Sequence, residues 1–312
     1  MIRLYFIVSL VLFYSCTNSK QTKPVAKNSS TSIDYETISL LGDTLYTSPP
    51  TEELISRYQE KKVAYEKDPT NIDQIIWFGR FTAYLGNYNE AIKIYSDAIK
   101  KYPEEARLFR HRGHRYITLR NFDKAVEDFT MAVTLINGKE NSIEPDGMPN
   151  KRNIPVSTLH GNIYYHLGLA QYLNRDLGPA LKAFKQCLET SNNPDNIVSA
   201  THWIYMINKR LGRDKAAENY LRPIHENMDV IENQSYLRAC LFYKGEISLD
   251  EIQLANSTDT PSNTALSYAI ANWWYYTGYA EKAKELYTEI VGQDDWASFG
   301  YIAAENDLAK LY

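Results

Sequence analysis

The sequence GNYNEAIKIYSDAIKKYPEE at residues 86–105 decides the fold, because a related sequence, RNFDKAVEDFTMAV, follows at residues 120–133. Ala91 in the first stretch corresponds to Ala125 in the second, and the two positions are 34 residues apart. Small and aromatic residues recur within each stretch at helical spacing, which predicts amphipathic helices. A period of this length is typical of helical hairpins that bury their apolar sides against the next hairpin.

The repeat resembles the tetratricopeptide repeat (TPR). The matching positions are Gly86, Ala91, Tyr95, Ala98 and Pro103, followed by Asn121, Ala125, Phe129 and Ala132. The resemblance implies an all-α fold, a right-handed superhelical stack of TPR-like hairpins (an α-solenoid), in which the first helix of each hairpin lines a concave inner face. Uncharacterised bacterial TPR lipoproteins are similar over most of the mature chain, and that similarity implies no known activity.

Six hairpins are predicted, the first two at about residues 71–102 and 105–136. Four more follow around Gly168, Trp203, Gly245 and Gly278, where the repeat matches more loosely. A helix that begins after Thr51 should precede them. A last helix over about 296–311 should cap the stack.

The first residues resemble a bacterial lipoprotein signal. Arg3 precedes an apolar run, residues 4–14, that is too short to span a bilayer, and Ser15 and Cys16 follow it. The resemblance implies a signal peptide at residues 1–15 and acylation of Cys16, so that the lipid anchors the protein to a membrane. Ordinary secretion with an unmodified Cys16 is the alternative. Thr17 after the cysteine favours the outer membrane of the cell envelope. The sequence does not indicate which face of that membrane carries the protein.

Residues 16–50 are rich in Ser, Thr, Asn and Lys and have little apolar periodicity, which predicts a flexible tether. Residues 51–312 then form the TPR-like solenoid, interrupted by an inserted loop at about residues 137–156. Cys187 and Cys240 fall at helical positions in different hairpins, so two buried thiols are expected rather than a disulfide.

Composition and motifs argue against several classes of function. A net charge of −4 and a pI near 5.9 give no general attraction to nucleic acid. No catalytic signature is found, so no enzymatic activity and no cofactor are predicted. His111 and His114 lie one helical turn apart, and His160 or His166 could complete a metal site with them. Neighbouring arginines disfavour a dication, and no metal is predicted.

The inner face implied by the resemblance is rich in arginine and tyrosine. Arginine and tyrosine suit the carboxylates and flat side chains of a protein or peptide partner. The predicted partner-binding residues are Arg80, Tyr84, Arg110, His114, Tyr165, Tyr172, His202, Arg210, Tyr268 and Tyr276. The chain has 25 tyrosines, many of which must pack between helices, so about half of the named aromatic residues are expected in the core.

The inserted loop contains EPDGMPN at residues 144–150, too much proline and glycine for a helix. Long ordered loops are often functional. We expect Glu144 or Asp146 to pair with Arg110, Arg112 or Arg115, which would make the loop a lid over the groove. A brace between the second and third hairpins is an equal alternative.

These features predict a lipid-anchored envelope scaffold that docks a protein or peptide on its concave face, without catalysis. The alternative is an envelope enzyme or small-molecule binder whose polar site is built from Arg110, His114, His160 and the insert. A closed pocket of converging arginine, histidine and acidic side chains would favour the alternative, and an open groove would favour docking.

Overall fold

The computed structural model describes residues 35–145, 147–258 and 264–312, and these ranges contain fourteen helices and one two-stranded hairpin. The helices are α1 (Glu52–Lys67), α2 (Ile72–Tyr84), α3 (Tyr88–Lys101), α4 (Ala106–Thr118), α5 (Phe122–Ile136), α6 (Leu159–Leu173), α7 (Leu177–Glu189), α8 (Pro194–Arg210), α9 (Asp214–Leu221), α10 (Gln234–Lys244), α11 (Leu249–Thr258), α12 (Thr264–Tyr276), α13 (Ala280–Val291) and α14 (Phe299–Leu311). The predicted signal peptide at 1–15, Cys16 and Asp146 lie outside the described residues.

The helices form six consecutive hairpins, from α2–α3 to α12–α13, with α1 before them and α14 after them. Helices from α1 to α9 each pack on the next helix in the chain, and α10 then packs on both α8 and α12. The predicted all-α stack of hairpins is therefore confirmed. Of the described residues, no helix is both long enough and apolar enough to cross a bilayer.

Glycines in the first helix of three hairpins allow close contact with an aromatic ring sixteen residues later in the second helix. The pairs are Gly79 with Tyr95, Gly113 with Phe129, and Gly168 with Phe184. A Cβ atom on Gly168 would lie only 2.7 Å from the Phe184 ring. The repeat thus fixes the spacing of the two helices in each of these hairpins.

The turn within each hairpin places one residue in the left-handed region of φ. Glycine holds this position in four turns, and Gly86 in the first of them has φ of +85°. Arg120 and Arg175 hold it in the other two, with φ of +62° and +68°. A residue with a Cβ atom pays about 1–2 kcal/mol for this conformation, so a compensating interaction is expected at both arginines.

The main core runs between the hairpins and includes Trp203 and Phe184, whose rings stack at 5.5 Å. Cys187 and Cys240 are both buried and free, as the sequence predicted.

Residues 36–47 lie on the helical body. Strands β1 (Thr37–Ile38) and β2 (Thr44–Leu45) pair antiparallel, and Leu45 is buried in the main core. The Trp296 indole N–H donates to the Tyr46 carbonyl at 2.7 Å, and the Asn89 side-chain amide donates to Glu36. The expectation of a flexible tether up to residue 50 is therefore wrong for this part, because one apolar anchor and several backbone hydrogen bonds hold it to the body.

Helix α14 follows the sixth hairpin and packs on α12 and α13, as expected of a C-terminal helix that continues the stack. Its contact with α12 is tight, since a Cβ on Gly300 would lie 2.2 Å from the Thr264 carbonyl oxygen. Every residue from 300 to 307 is buried, including Glu305, Asn306 and Asp307. A helix that only capped the stack would keep a polar side in water, so α14 must also be covered on its other sides.

Candidate functional site

The inner face of the stack holds α14 through buried ion pairs. Glu305 accepts hydrogen bonds from the Arg120 guanidinium, whose Nε lies 3.2 Å from both carboxylate oxygens. Asp307 accepts from Arg175 at 2.6 Å and from Arg210 at 3.0 Å. Both carboxylate side chains are fully buried. Helix α14 therefore occupies the part of the concave face that these arginines line.

Four predicted partner-binding residues belong to this interior. Tyr268 donates a hydrogen bond to Asp307 at 2.9 Å, and its hydroxyl lies 2.6 Å from that of Tyr172. Arg210 binds the same carboxylate, and His202 is only 1% exposed, with Nδ1 3.3 Å from a tyrosine hydroxyl. The prediction that Tyr172, His202, Arg210 and Tyr268 face a partner is wrong, because α14 and α10 cover them.

Tyr276 and Tyr165 also contact residues of the chain itself. Tyr276 lies under the Lys209 ammonium at 5.6 Å, and its hydroxyl is buried without a hydrogen-bond partner in the described part of the chain. Tyr165 accepts from the Trp203 indole at 2.9 Å and lines a cavity of about 280 Å³ between α6, α8 and the start of α10. Both tyrosines are half-buried, so neither is fully exposed to a partner.

The remaining four predicted residues come together at the other end of the inner face. Arg80, Tyr84, Arg110 and His114 line one cavity of about 90 Å³. The other lining residues are Tyr95, His111 and Arg115. We call this cavity the arginine pocket. It brings arginine and histidine side chains together, but it is small and only partly enclosed.

The insert supplies a carboxylate to this pocket. Glu144 is buried, and its Oε2 lies 3.2 Å from Arg110 Nε, while its Oε1 lies 3.3 Å from His111 Nε2. Asn162 on α6 donates to the same carboxylate at 2.8 Å. Of the expected pairings between the insert and Arg110, Arg112 or Arg115, the one between Glu144 and Arg110 is confirmed. Because the carboxylate joins α4 to α6, this end of the insert acts as a brace.

Two expected members of the site lie elsewhere. Arg112 binds Asp128 on α5 through two hydrogen bonds of 2.8 and 2.7 Å, so it does not pair with the insert. His160 lies in the first turn of α6, where its backbone N–H donates to Asn141, and it does not line the arginine pocket. The site proposed from Arg110, His114, His160 and the insert is therefore assembled without His160.

Burial and neighbouring charge keep the pocket histidines neutral. Burial lowers the pKa of His111 and of His114 well below the ordinary value, and the surrounding arginines lower both further. Burial also lowers the pKa of the Arg110 guanidinium, which Glu144 opposes. Arg110 Nη1 lies 2.9 Å from His111 Nδ1, so Nδ1 accepts and the proton of His111 is on Nε2, facing Glu144. No group of three His, Cys, Asp or Glu side chains in the described ranges is arranged to hold a metal.

Beyond Glu144, the insert crosses from the first hairpin to the segment between α9 and α10. At the near end, Arg80 donates to the Pro145 carbonyl at 2.7 Å and Arg57 donates to the Gly147 carbonyl at 2.8 Å. At the far end, Arg152 binds Asp229 at 2.6 Å. The insert thus contacts Arg80 and Arg110 at the border of the arginine pocket and also ties distant hairpins together.

Three side chains of the insert are apolar and exposed to water. Ile143 is 65% exposed, Met148 57% and Ile154 45%. Single exposed apolar residues are common, but three within twelve residues of a fixed loop are consistent with a binding surface. We call Ile143, Met148 and Ile154 the insert patch. The sequence analysis did not predict it, although the three residues stand among polar and proline residues in the sequence.

No family model matches the sequence, and no curated protein matches it. Among solved structures, a TPR protein from Parabacteroides merdae is similar over 82% of this chain and 92% of its own, with 18% identity and a TM-score of 0.50. The TPR protein YrrB, described as having an unusual peptide-binding site, is similar over 77% of this chain and 96% of its own, with 16% identity and a TM-score of 0.42. The first likeness shows the fold, which is a TPR-like solenoid.

Proposed function

We propose that the protein is a lipid-anchored scaffold of the bacterial envelope that binds a partner protein through the insert patch and the adjacent basic end of the inner face. No catalytic step is proposed. The anchor is a lipid on Cys16, and the outer membrane is the proposed site. The single observation that carries the proposal is the insert patch, three exposed apolar side chains on an insert that is fixed at both ends.

The insert patch suits binding because its backbone is already ordered. Contacts with Arg57, Arg80 and Arg110 fix one end of the insert, and contacts with Asp229 fix the other. A partner that docks on an ordered loop loses less conformational entropy than one that must order it. The exposed apolar side chains would then supply the buried centre of the interface.

Charge next to the insert patch indicates the chemistry of the partner. Arg57 and Arg80 lie under the insert, and in the described part of the chain neither pairs with a carboxylate. Arg115 makes a cation–π contact with Tyr88 at 5.7 Å. A partner segment that combines apolar and acidic side chains would complement this surface.

Crosslinked co-purification from solubilised envelopes tests the proposal. The variant carries Ile143→Ser, Met148→Ser and Ile154→Ser, and its matched control carries Ile55→Ser, Val63→Ser and Met131→Ser, three residues that are also exposed. We expect the first variant to lose a partner that the wild type and the control retain. Identical sets of partners for all three proteins would refute the binding surface.

The anchor is tested separately with Cys16→Ser. We expect the wild type to fractionate with membranes and the variant to be released into the soluble fraction, since the lipid supplies most of the membrane affinity. Retention of the variant in the membrane fraction would refute the lipid anchor and leave the insert patch unaffected.

A further inference from the structure

We propose that the arginine pocket binds a small oxyanion, a phosphate or carboxylate group, beside the guanidinium groups of Arg80, Arg110 and Arg115. This inference goes beyond partner binding, because the ligand is a small anion and the site lies beneath the insert rather than on its outer side.

The charge of the pocket is the first support. Three guanidinium groups line it, and Glu144 is the one carboxylate that contacts any of them within the described ranges. The two histidines of the pocket are neutral and add no charge of their own. A phosphate monoester carries about 1.5 to 2 negative charges at neutral pH, which matches the two guanidinium groups that have no carboxylate partner among the described residues.

Unused hydrogen-bonding capacity is the second support. Arg110 is 91% buried, since its side chain is 9% exposed, and its Nε makes an ion pair with Glu144 at 3.2 Å but no hydrogen bond within the described residues. Buried polar atoms are rarely left unpaired, and a bound anion would give Arg110 Nε an acceptor.

Arg115 provides a further donor that the fold does not use. In the described part of the chain its guanidinium has a cation–π contact with Tyr88 and no hydrogen bond or ion pair. Removing its charge should therefore leave the packing of the hairpins intact. This makes Arg115 the best single probe of the pocket.

The size of the pocket limits the ligand. The arginine pocket has a volume of only about 90 Å³. Pockets for drug-sized ligands occupy about 300–1,000 Å³, so the site accommodates one anionic group rather than a whole metabolite. Arginine suits such a group because its planar donors match the spacing of phosphate and carboxylate oxygens.

Glu144 places a negative charge next to the proposed ligand. Removal of an arginine and removal of Glu144 should therefore change anion binding in opposite directions. Titration calorimetry with inorganic phosphate, and in parallel with acetate, is done on the full mature chain at constant ionic strength. We expect saturable binding of at least one anion by the wild type, and the anion that binds identifies the class. Arg115→Gln should weaken it at least about tenfold, because a charged hydrogen bond is lost.

Glu144→Gln should bind the anion more tightly than the wild type, since the competing negative charge is gone. The same variant leaves Arg110 buried and without its carboxylate, so its melting temperature should fall in chloride and recover when the anion is added. Phosphate also stabilises proteins generally, by exclusion from their surfaces. Arg222→Gln, which removes an exposed charge outside the pocket, controls for that effect.

Equal binding by the wild type, Arg115→Gln and Arg222→Gln would overturn the proposal, and so would the absence of binding by the wild type and by Glu144→Gln. Neither result depends on the co-purification test of the insert patch, so failure of this inference is distinguishable from failure of the proposed function.

Discussion

Arg120 and Arg175 occupy the same turn position in successive hairpins, and each binds a carboxylate of α14. Both residues have positive φ at a position where the other four hairpins use glycine. Glycine would relieve the backbone but has no side chain to reach Glu305 or Asp307. The two arginines therefore accept local backbone strain in exchange for the ion pairs that hold the last helix inside the stack.

Loss of the Arg120 guanidinium should be among the more damaging single changes. Arg120→Ala leaves Glu305 buried and without its cation, and removal of one partner of such a pair costs about 3–5 kcal/mol. Urea unfolding measures the difference. Lys93→Ala, which breaks an exposed pair with Asp97, is the control and should cost less than about 1 kcal/mol. Equal effects of the two substitutions would show that Arg120 does not hold α14.

The glycine that faces Phe184 should not tolerate a methyl group. Gly168→Ala places a Cβ about 2.7 Å from the ring, and overpacking of this kind costs about 1–3 kcal/mol. Gly178 in α7 has open space around its Cβ position, so Gly178→Ala should stabilise the protein by about 0.5–1 kcal/mol through helix propensity. Thermal unfolding should give shifts of opposite sign, and a shift of the same sign would contradict the packing.

Acid should destabilise the fold through its buried histidines. Burial lowers the pKa of His166 and of His202 from 6.5 to about 3. As the pH falls below 6.5 the unfolded chain binds protons that the folded chain excludes, so the free energy of unfolding falls until about pH 3. Above pH 6.5 the histidines are neutral in both states and no stability is lost. Between pH 7.5 and 5 the loss is up to about 2 kcal/mol for each histidine.

Urea unfolding of the wild type and of His202→Phe at several pH values measures this effect. The variant should lose less stability on acidification than the wild type. His225→Gln, at an exposed position, should behave like the wild type. The same loss in all three proteins would mean that His202 does not titrate on unfolding.

The sequence was sufficient for the stack of hairpins because the features that define it are local. Ala91 and Ala125 mark the period, and turn residues such as Gly86 mark the ends of the helices. The insert was also predictable, since the repeat is interrupted there. The pairing of Glu144 with Arg110 was among the expected ones, because the acidic residues of the insert were predicted to lie near the arginines of α4.

The content of the inner face was not predictable in the same way. Arg210 and Tyr268 stand at the expected inner-face positions, but whether such residues meet a partner or the chain's own helix depends on how far the stack curves. That curvature brings Glu305 to Arg120 across 185 positions. The substitution of arginine for glycine at residues 120 and 175 was the signal in the sequence that could have revealed it.

Glu305 and Asp307 hold α14 against the part of the inner face that Arg120, Arg175 and Arg210 line, so α14 is more than a terminal cap. Hydrogen exchange followed by mass spectrometry tests this most directly, with α1 as an internal comparison, because α1 ends the other side of the stack and has no buried residue. We expect the amides of residues 301–307 to exchange as slowly as those of α6 and α8, and those of α1 to exchange fast. Exchange of α14 as fast as that of α1 would contradict the account.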